Sequence, residues 1–173
     1  IYYDLSLLQE MDIYLFKQGN HLELYHKLGA HLVSRNGTPG VYFALWAPNA
    51  EYVSVKGDFN SWDPRSHPLS LRQDESGIWE GFIPGVQKGA LYKYHIRSMF
   101  NNYSVDKTDP FALYMEYAYS LASVVWDLDY AWQDQGWMQH RESRNGFSSP
   151  ICAYELHLGS WRRVPEQENR FLS

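Results

Sequence analysis

Apolar positions change their period along this chain. Leu5, Leu8, Met11 and Leu15 fall near helical spacing behind Asp4, a capping residue type, so a short amphipathic helix is predicted over residues 4–16. A further turn or two is predicted from Leu22 to Leu28, with Asn20 as N-cap and Gly29 as the stop. From about residue 31 the period becomes two. His31 to Arg35 and Val41 to Ala47 read as strands flanking a hairpin-type connection, Asn36-Gly37-Thr38-Pro39-Gly40. In the second of them Val41, Phe43 and Leu45 share one face, and Tyr42, Ala44 and Trp46 the other. Further runs follow at Tyr52 to Gly57, Leu69 to Arg72, Ile78 to Ile83 and Leu91 to Arg97, separated by turn-forming clusters. The last of these sets Tyr92, Tyr94 and Ile96 against Lys93, His95 and Arg97. Residues 101–113 read as a long irregular loop, Ser123 to Asp127 as a closing strand, and 130–149 as a connector with one helical segment. Ile151 to His157 reads as a buried strand. Many short strands at this spacing predict a mainly all-β chain, an immunoglobulin-like β-sandwich behind short N-terminal helices.

Composition alters this picture in one respect. Aromatic residues make up 17% of the 173 residues, including seven Trp and fourteen Tyr. A domain of this size cannot bury them all, and rings left at a surface offer flat apolar area with a polar rim. Sugar rings have one apolar face, so a glycan is a natural ligand for such rings; an aromatic-rich core accounts for the same number equally well. The formal net charge is −5 with no basic run, which speaks against nucleic acid. Cys152 is the single cysteine; it excludes an internal disulfide framework and fits a reducing cytoplasm, and its apolar surroundings predict a buried, inert thiol. No signal peptide is expected from the first residues, and no apolar stretch approaches the ~20 residues of a membrane span.

Three segments, in order, carry a family signature. They are Gly29-Ala30-His31 with Gly40-Val41-Tyr42-Phe43-Ala44-Leu45-Trp46-Ala47-Pro48-Asn49-Ala50; then Val53-Ser54-Val55-Lys56-Gly57-Asp58-Phe59-Asn60-Ser61-Trp62-Asp63; then Tyr154-Glu155-Leu156-His157-Leu158-Gly159-Ser160-Trp161-Arg162-Arg163. Together these resemble bacterial glycogen branching enzymes. The resemblance implies a family-48 carbohydrate-binding module over 30–127 and the start of an α-amylase-superfamily (β/α)8 barrel from 150, with Ile151 to His157 as its first strand; the patterns read above then leave 1–29 as an N-terminal helical segment and 128–149 as a linker. It also implies cleavage of α-1,4 and formation of α-1,6 glucosidic bonds by a retaining mechanism. That mechanism needs two carboxyl groups about 5–5.5 Å apart, carried by a barrel of about 250 residues. The catalytic carboxylates would lie beyond Ser173, so these residues alone are expected to be inactive and no catalytic residue is assigned among them. The implied partners are α-1,4-glucan (glycogen or maltooligosaccharides) and the enzyme's own barrel, with no cofactor, metal or membrane. A stand-alone α-glucan-binding or regulatory module is the alternative, and a module that only braces the barrel is a third.

Four residues are candidates for glycan contact. Trp62 closes the Gly57-to-Trp62 loop, where glycan-binding relatives stack a Trp on glucose. Such stacking over roughly 100 Å² at about 25 cal/mol per Å² is worth only about 2.5 kcal/mol, and a loop Trp packed on its own domain is the plainer reading. Lys93 lies on the outward face of its strand, where relatives bond sugar hydroxyls and where a solvated Lys is equally at home. Phe100 falls where relatives carry a second Trp. Leu121 and Val125 fall where they place a Leu and an Asn, and Val125 has no polar side-chain atom. Trp46 and Trp79 fit core or inter-domain packing better than ligand contact. Asp58, Asp63, Asp106 and Asp109 are read as turn residues, two of them preceding proline. The seven histidines show no zinc-type spacing.

Overall fold

Asn36 and Gly37, both at positive φ (49° and 80°), make the two-residue turn that joins β1 (Gly29–Arg35) to β2 (Thr38–Trp46). Backbone twist at such a turn matches that of the flanking strands, which is why Asn-Gly serves there. In the computed structural model, which describes residues 1–116 and 121–171, the chain divides into two units, Ile1–Asp129 and Tyr130–Ser173.

The first unit is two antiparallel sheets packed as a sandwich. One has the order β1-β2-β5-β4, with β4 at Ser70–Leu71 and β5 at Ile78–Pro84. The other has the order β3-β6-β9-β8, formed by β3 (Ala50–Gly57), β6 (Leu91–Ser98), β8 (Tyr114–Met115) and β9 (Ser123–Val124). A further strand, β7 (Ser104–Lys107), pairs with β6. It lies inside the stretch expected to be irregular; the neighbouring edge of β6 gives Ser104–Lys107 hydrogen-bond partners that local pattern does not reveal. The run expected from Leu69 to Arg72 serves both sheets. Val55 N–H donates to His67 O and Leu69 N–H to Val53 O, after which Ser70 and Leu71 pair with β5.

The alternation in β2 is realised on two faces. Val41, Phe43 and Leu45 join Val53, Val55, Tyr92, Tyr94 and Ile83 between the sheets. There Phe43 meets Tyr92 edge-on at 5.1 Å and Tyr94 at 6.5 Å, and the two tyrosines meet each other at 5.8 Å. Edge-to-face rings at such distances add about 0.5–1.5 kcal/mol per pair beyond area burial. Tyr42 and Ala44, on the opposite face, pack with Ile78, Leu8, Ile13 and Leu28. The first sheet is thus covered on its outer side by the N-terminal segment.

That segment is shorter in helix than its pattern suggests. The helix α1 spans Glu10–Lys17, and Asp4 does not cap it but pairs with Arg35 at 2.8 Å. Residues before α1 are drawn out of helix because Tyr2 exchanges both backbone hydrogen bonds with Phe82 at the edge of β5. The start of α1 is marked by Asp12, whose carboxylate accepts the Gln9 N–H at 2.8 Å. Burial pushes the Asp12 carboxyl up, but this bond with those from His21 and Lys27 brings it down to about 2. Ile13, not Met11, is the buried residue of α1. The expected second helical stretch is a single 3₁₀ turn, Leu24–His26, and Gly29 at φ 101° opens β1 rather than ending a helix.

The second unit holds α2 (Gln135–Arg144), α3 (Leu158–Trp161) and a hairpin of β10 (Arg163–Val164) with β11 (Arg170–Phe171). Residues 151–157 form no strand, and Ile151, Cys152 and Tyr154 are exposed, contrary to the buried strand and buried thiol expected there. A strand exists only through hydrogen bonds to a neighbour, and none of the described strands pairs with this segment. Among the described residues no helix is long and apolar enough to cross a membrane.

Candidate functional site

The strand pair β3–β6 carries the site, and it starts from a glycine. A Cβ on Gly57 would lie 2.2 Å from Leu91 O and 2.5 Å from the Phe59 ring, so the strands close there only without a side chain. Beyond it, Asp58–Asn60 makes a 3₁₀ turn that sends Phe59 toward the core. Asn60 then pins the loop. Its Oδ1 accepts Gly57 N–H at 2.8 Å, and its Nδ2 donates to Val55 O at 3.0 Å and lies 2.8 Å from His67 Nδ1.

Held this way, the loop places Ser61 and Trp62 consecutively at positive φ, 54° and 58°. For residues with a Cβ this conformation costs about 1–2 kcal/mol each. The Trp62 N–H donates back to Gly57 O at 2.8 Å, and the residue stays partly exposed instead of joining the buried core. Strain kept by a network of surrounding bonds, with an aromatic ring held outward as its result, is a pattern that points to function.

Trp62 faces an open cleft of about 280 Å³ whose other lining residues are Lys56, Lys93 and Asp106. Lys56 and Lys93 stand directly opposite each other across β3 and β6. Asp106 comes from β7 on the other side of β6, opposite His95. Its Oδ2 accepts from Lys56 Nζ at 2.8 Å and its Oδ1 lies 2.8 Å from His95 Nδ1. Burial pushes the Asp106 carboxyl up, but the bonds from Lys56 and His95 outweigh it and the net direction is down. One stacking surface, two ammonium groups and one ionised carboxylate therefore converge on one shallow cleft, which suits a polyhydroxylated ligand with an apolar face.

Of the candidates from sequence, Trp62 and Lys93 are brought together here. Phe100 is exposed on the turn between β6 and β7, and Leu121 is exposed at φ 49°; neither lines the cleft. Val125 is fully buried in the core, so it has no place at a binding surface. Trp79 is a core residue whose indole N–H donates to Ala47 O at 3.0 Å. Trp46 is instead 54% exposed, its N–H bonded to Ser76 O and its ring edge-on to Phe16 at 6.0 Å. Lys56 and Asp106 complete the lining without being marked as contacts by the sequence motifs. The period-two pattern puts Lys56 on the outward face, but β7, which delivers Asp106, left no such trace.

The turn reading of the aspartates holds for Asp63, whose Oδ1 accepts Arg65 N–H at 3.0 Å and which Arg65 brings down to about 2. Asp58 accepts Leu91 N–H at 3.2 Å. Asp109 does more than turn the chain. It accepts Phe111 N–H at 2.8 Å and, deep inside, the hydroxyls of Tyr92 at 2.7 Å and Tyr94 at 3.1 Å. No group of His, Cys, Asp and Glu suited to a metal ion occurs among the described residues.

Residues 27–112 match the family carbohydrate-binding module 48 (isoamylase N-terminal domain). The 1,4-alpha-glucan branching enzyme GlgB of Aquifex aeolicus is 52% identical over 97% of this chain and 26% of its own length. That of Albidiferax ferrireducens is 52% identical over 93% of this chain and 25% of its own. The chain thus spans about a quarter of the length of these relatives. Among solved structures, Klebsiella pneumoniae pullulanase complexed with maltotriose covers 65% of this chain and 11% of its own, at 29% identity and a TM-score of 0.46. The chain is homologous to the amino-terminal part of the 1,4-alpha-glucan branching enzyme GlgB and carries a carbohydrate-binding module of family 48.

Proposed function

We propose that the parent protein is a 1,4-α-glucan branching enzyme, cutting α-1,4 and forming α-1,6 linkages, and that its immunoglobulin-like sandwich holds α-1,4-glucan at the Trp62 cleft. The observation that carries the reading is the Trp62 loop itself, pinned by Asn60 at positive φ beside Lys93, Lys56 and Asp106. Stacking one glucose on Trp62 contributes about 2.5 kcal/mol, and each hydrogen bond about 1 kcal/mol more. The sum corresponds to a dissociation constant in the millimolar range, which suits a tether. A long glucan presents many such sugars, so weak contacts suffice to keep it near the reacting centre while still letting it slide.

In this reading residues 30–127 are the binding module, 128–149 a linker, and 150–173 the opening of the (β/α)8 barrel. The size of the relatives supports it, as do Ile151, Tyr154 and Trp161, which lie exposed like strand and helix residues lacking the neighbours of a barrel. The residues for catalysis would come from that barrel, as would the choice of transferred chain length.

Affinity electrophoresis through a gel containing glycogen tests the proposal. Retardation of the wild-type chain, lost in Trp62→Ala, is the expected result. Equal mobility of both, with and without glycogen, would overturn it and leave the module with a bracing role.

A further inference from the structure

The cleft beside Trp62 holds a pair of groups with unused hydrogen-bonding capacity. Lys56 Nζ gives one of its three protons to Asp106 Oδ2 at 2.8 Å. Asp106 is bonded through one oxygen to Lys56 and through the other to His95, leaving lone pairs on both. The carboxylate side chain is 38% exposed and the lysine 16%, so the pair is seated on the sheet with its open side toward the cleft. A donor and an acceptor are thereby fixed next to each other, at a spacing set by their own contact.

We infer that Lys56 and Asp106 read a vicinal diol of the bound sugar, the 2-OH and 3-OH of an α-1,4-linked glucose whose ring lies on Trp62. One hydroxyl accepts from Lys56 and its neighbour donates to Asp106, matching the donor–acceptor order of the pair. In an α-1,4-glucan the 2-OH and 3-OH of every interior residue are free and sit on adjacent carbons, whereas the 6-OH stands apart on a flexible arm. His95 serves as a positioning residue: its contact with Oδ1 holds the carboxylate plane while Lys56 engages the other oxygen. Because the pair is assembled before ligand arrives, little side-chain ordering opposes binding. The inference rests on the glucan reading of the cleft and adds to it which edge of the sugar is recognised.

β-Cyclodextrins methylated at chosen hydroxyls test it on the 173-residue chain by titration calorimetry. Unmodified β-cyclodextrin and its 6-O-methyl form are expected to bind the wild type alike, with the 2,3-di-O-methyl form about tenfold weaker. Lys56→Met and Asp106→Asn are each expected to weaken unmodified β-cyclodextrin about tenfold and to erase the preference against 2,3-methylation. Thermal midpoints are recorded for both variants, and His95→Gln is measured as a second perturbation of the carboxylate that leaves Lys56 and Asp106 in place. A pair that merely offsets the charge of Lys93 would leave the methylation preference intact in every variant. That outcome, or equal loss on 6-O-methylation, overturns the diol assignment while binding that depends on Trp62 still stands. If no cyclodextrin binds, or Trp62→Ala binds as well as wild type, the cleft reading itself falls and the diol assignment with it.

Discussion

Asp106 and Asp109 lie close together in the chain, and both are served by alternate side chains of β6, yet they have opposite surroundings. Tyr92 and Tyr94 point inward and give their hydroxyls to Asp109, which is 4% exposed. Lys93 and His95 point outward, where His95 meets Asp106 and Lys93 shares its cleft. Burial pushes the Asp109 carboxyl up, against the hydrogen bonds from Tyr92, Phe111 and Tyr94. Asp106 is brought down by a lysine and a histidine despite its partial burial. The side of a sheet on which a carboxylate falls decides whether it becomes part of the core or stays an ionised, partly exposed acceptor. One strand thus supplies a structural anchor on its inner face and a cleft wall on its outer face.

The largest expected effect that sharpens this contrast is on the inner side. Asp109→Ala removes the acceptor of two buried hydroxyls and of the Phe111 N–H, groups that cost about 1–3 kcal/mol each when left unmade. Chemical unfolding is expected to show a loss of about 3 kcal/mol or more, with Asp109→Asn losing less because it keeps an acceptor oxygen. A loss confined to a few tenths would break the anchor reading.

Next comes the outer side. Trp62→Ala is expected to cost about 2.5 kcal/mol of glucan affinity, from the stacked area, while folding stability stays within about 0.5 kcal/mol. Calorimetric titration with maltoheptaose beside a denaturant melt checks both numbers. A stability loss with unchanged affinity would move Trp62 to the structural column.

Gly57→Ala bears on the joint between the two sides. Its Cβ would meet Leu91 O at 2.2 Å, a backbone atom that cannot swing away. A loss of about 1–3 kcal/mol is expected, as for overpacking, together with weaker glucan retardation as the Trp62 loop is displaced. Unchanged stability would show that the β3–β6 pair yields more than its geometry implies.

The smallest effects, and the most diagnostic, are in pH. Asp109 has a folded-state value above the ordinary 3.8, so its contribution is complete below 3.8 and is lost as pH rises through the higher folded value. Asp106 lies below 3.8, so its contribution is present above 3.8 and is lost as pH falls through the lower folded value. Thermal midpoints across the acid range are expected to show Asp109→Asn flattening the rise side and Asp106→Asn the fall side. Two variants with the same sign would erase the distinction.

The elements legible beforehand share a cause. Strands β2 and β6 announce themselves because alternate burial forces alternate residue types, and the hairpin because few residues accept positive φ, although only Asn36-Gly37 of the expected Asn36-to-Gly40 connection turns and Thr38 to Gly40 already belong to β2. The helix over residues 4–16 was misplaced because Tyr2 spends its backbone bonds on Phe82, a long-range pairing that local spacing does not record. Ile151 to His157 has the composition of a buried strand but no described neighbour to pair with. In the cleft, Trp62 and Lys93 could be named from the resemblance, whereas Phe100 and Leu121 lie outside its lining.

What the sequence determined by itself was local: which residues alternate, where the chain turns, and the ordered motifs that tie it to branching enzymes. Tertiary structure alone decided that Ser104–Lys107 pairs with β6, that Asp106 thereby reaches Lys56, and that Asp109 turns inward to Tyr92 and Tyr94. The reason is physical. Period and turn propensity act over a few neighbouring residues, while partners across a sheet are chosen by which edges and faces remain open once the core has closed.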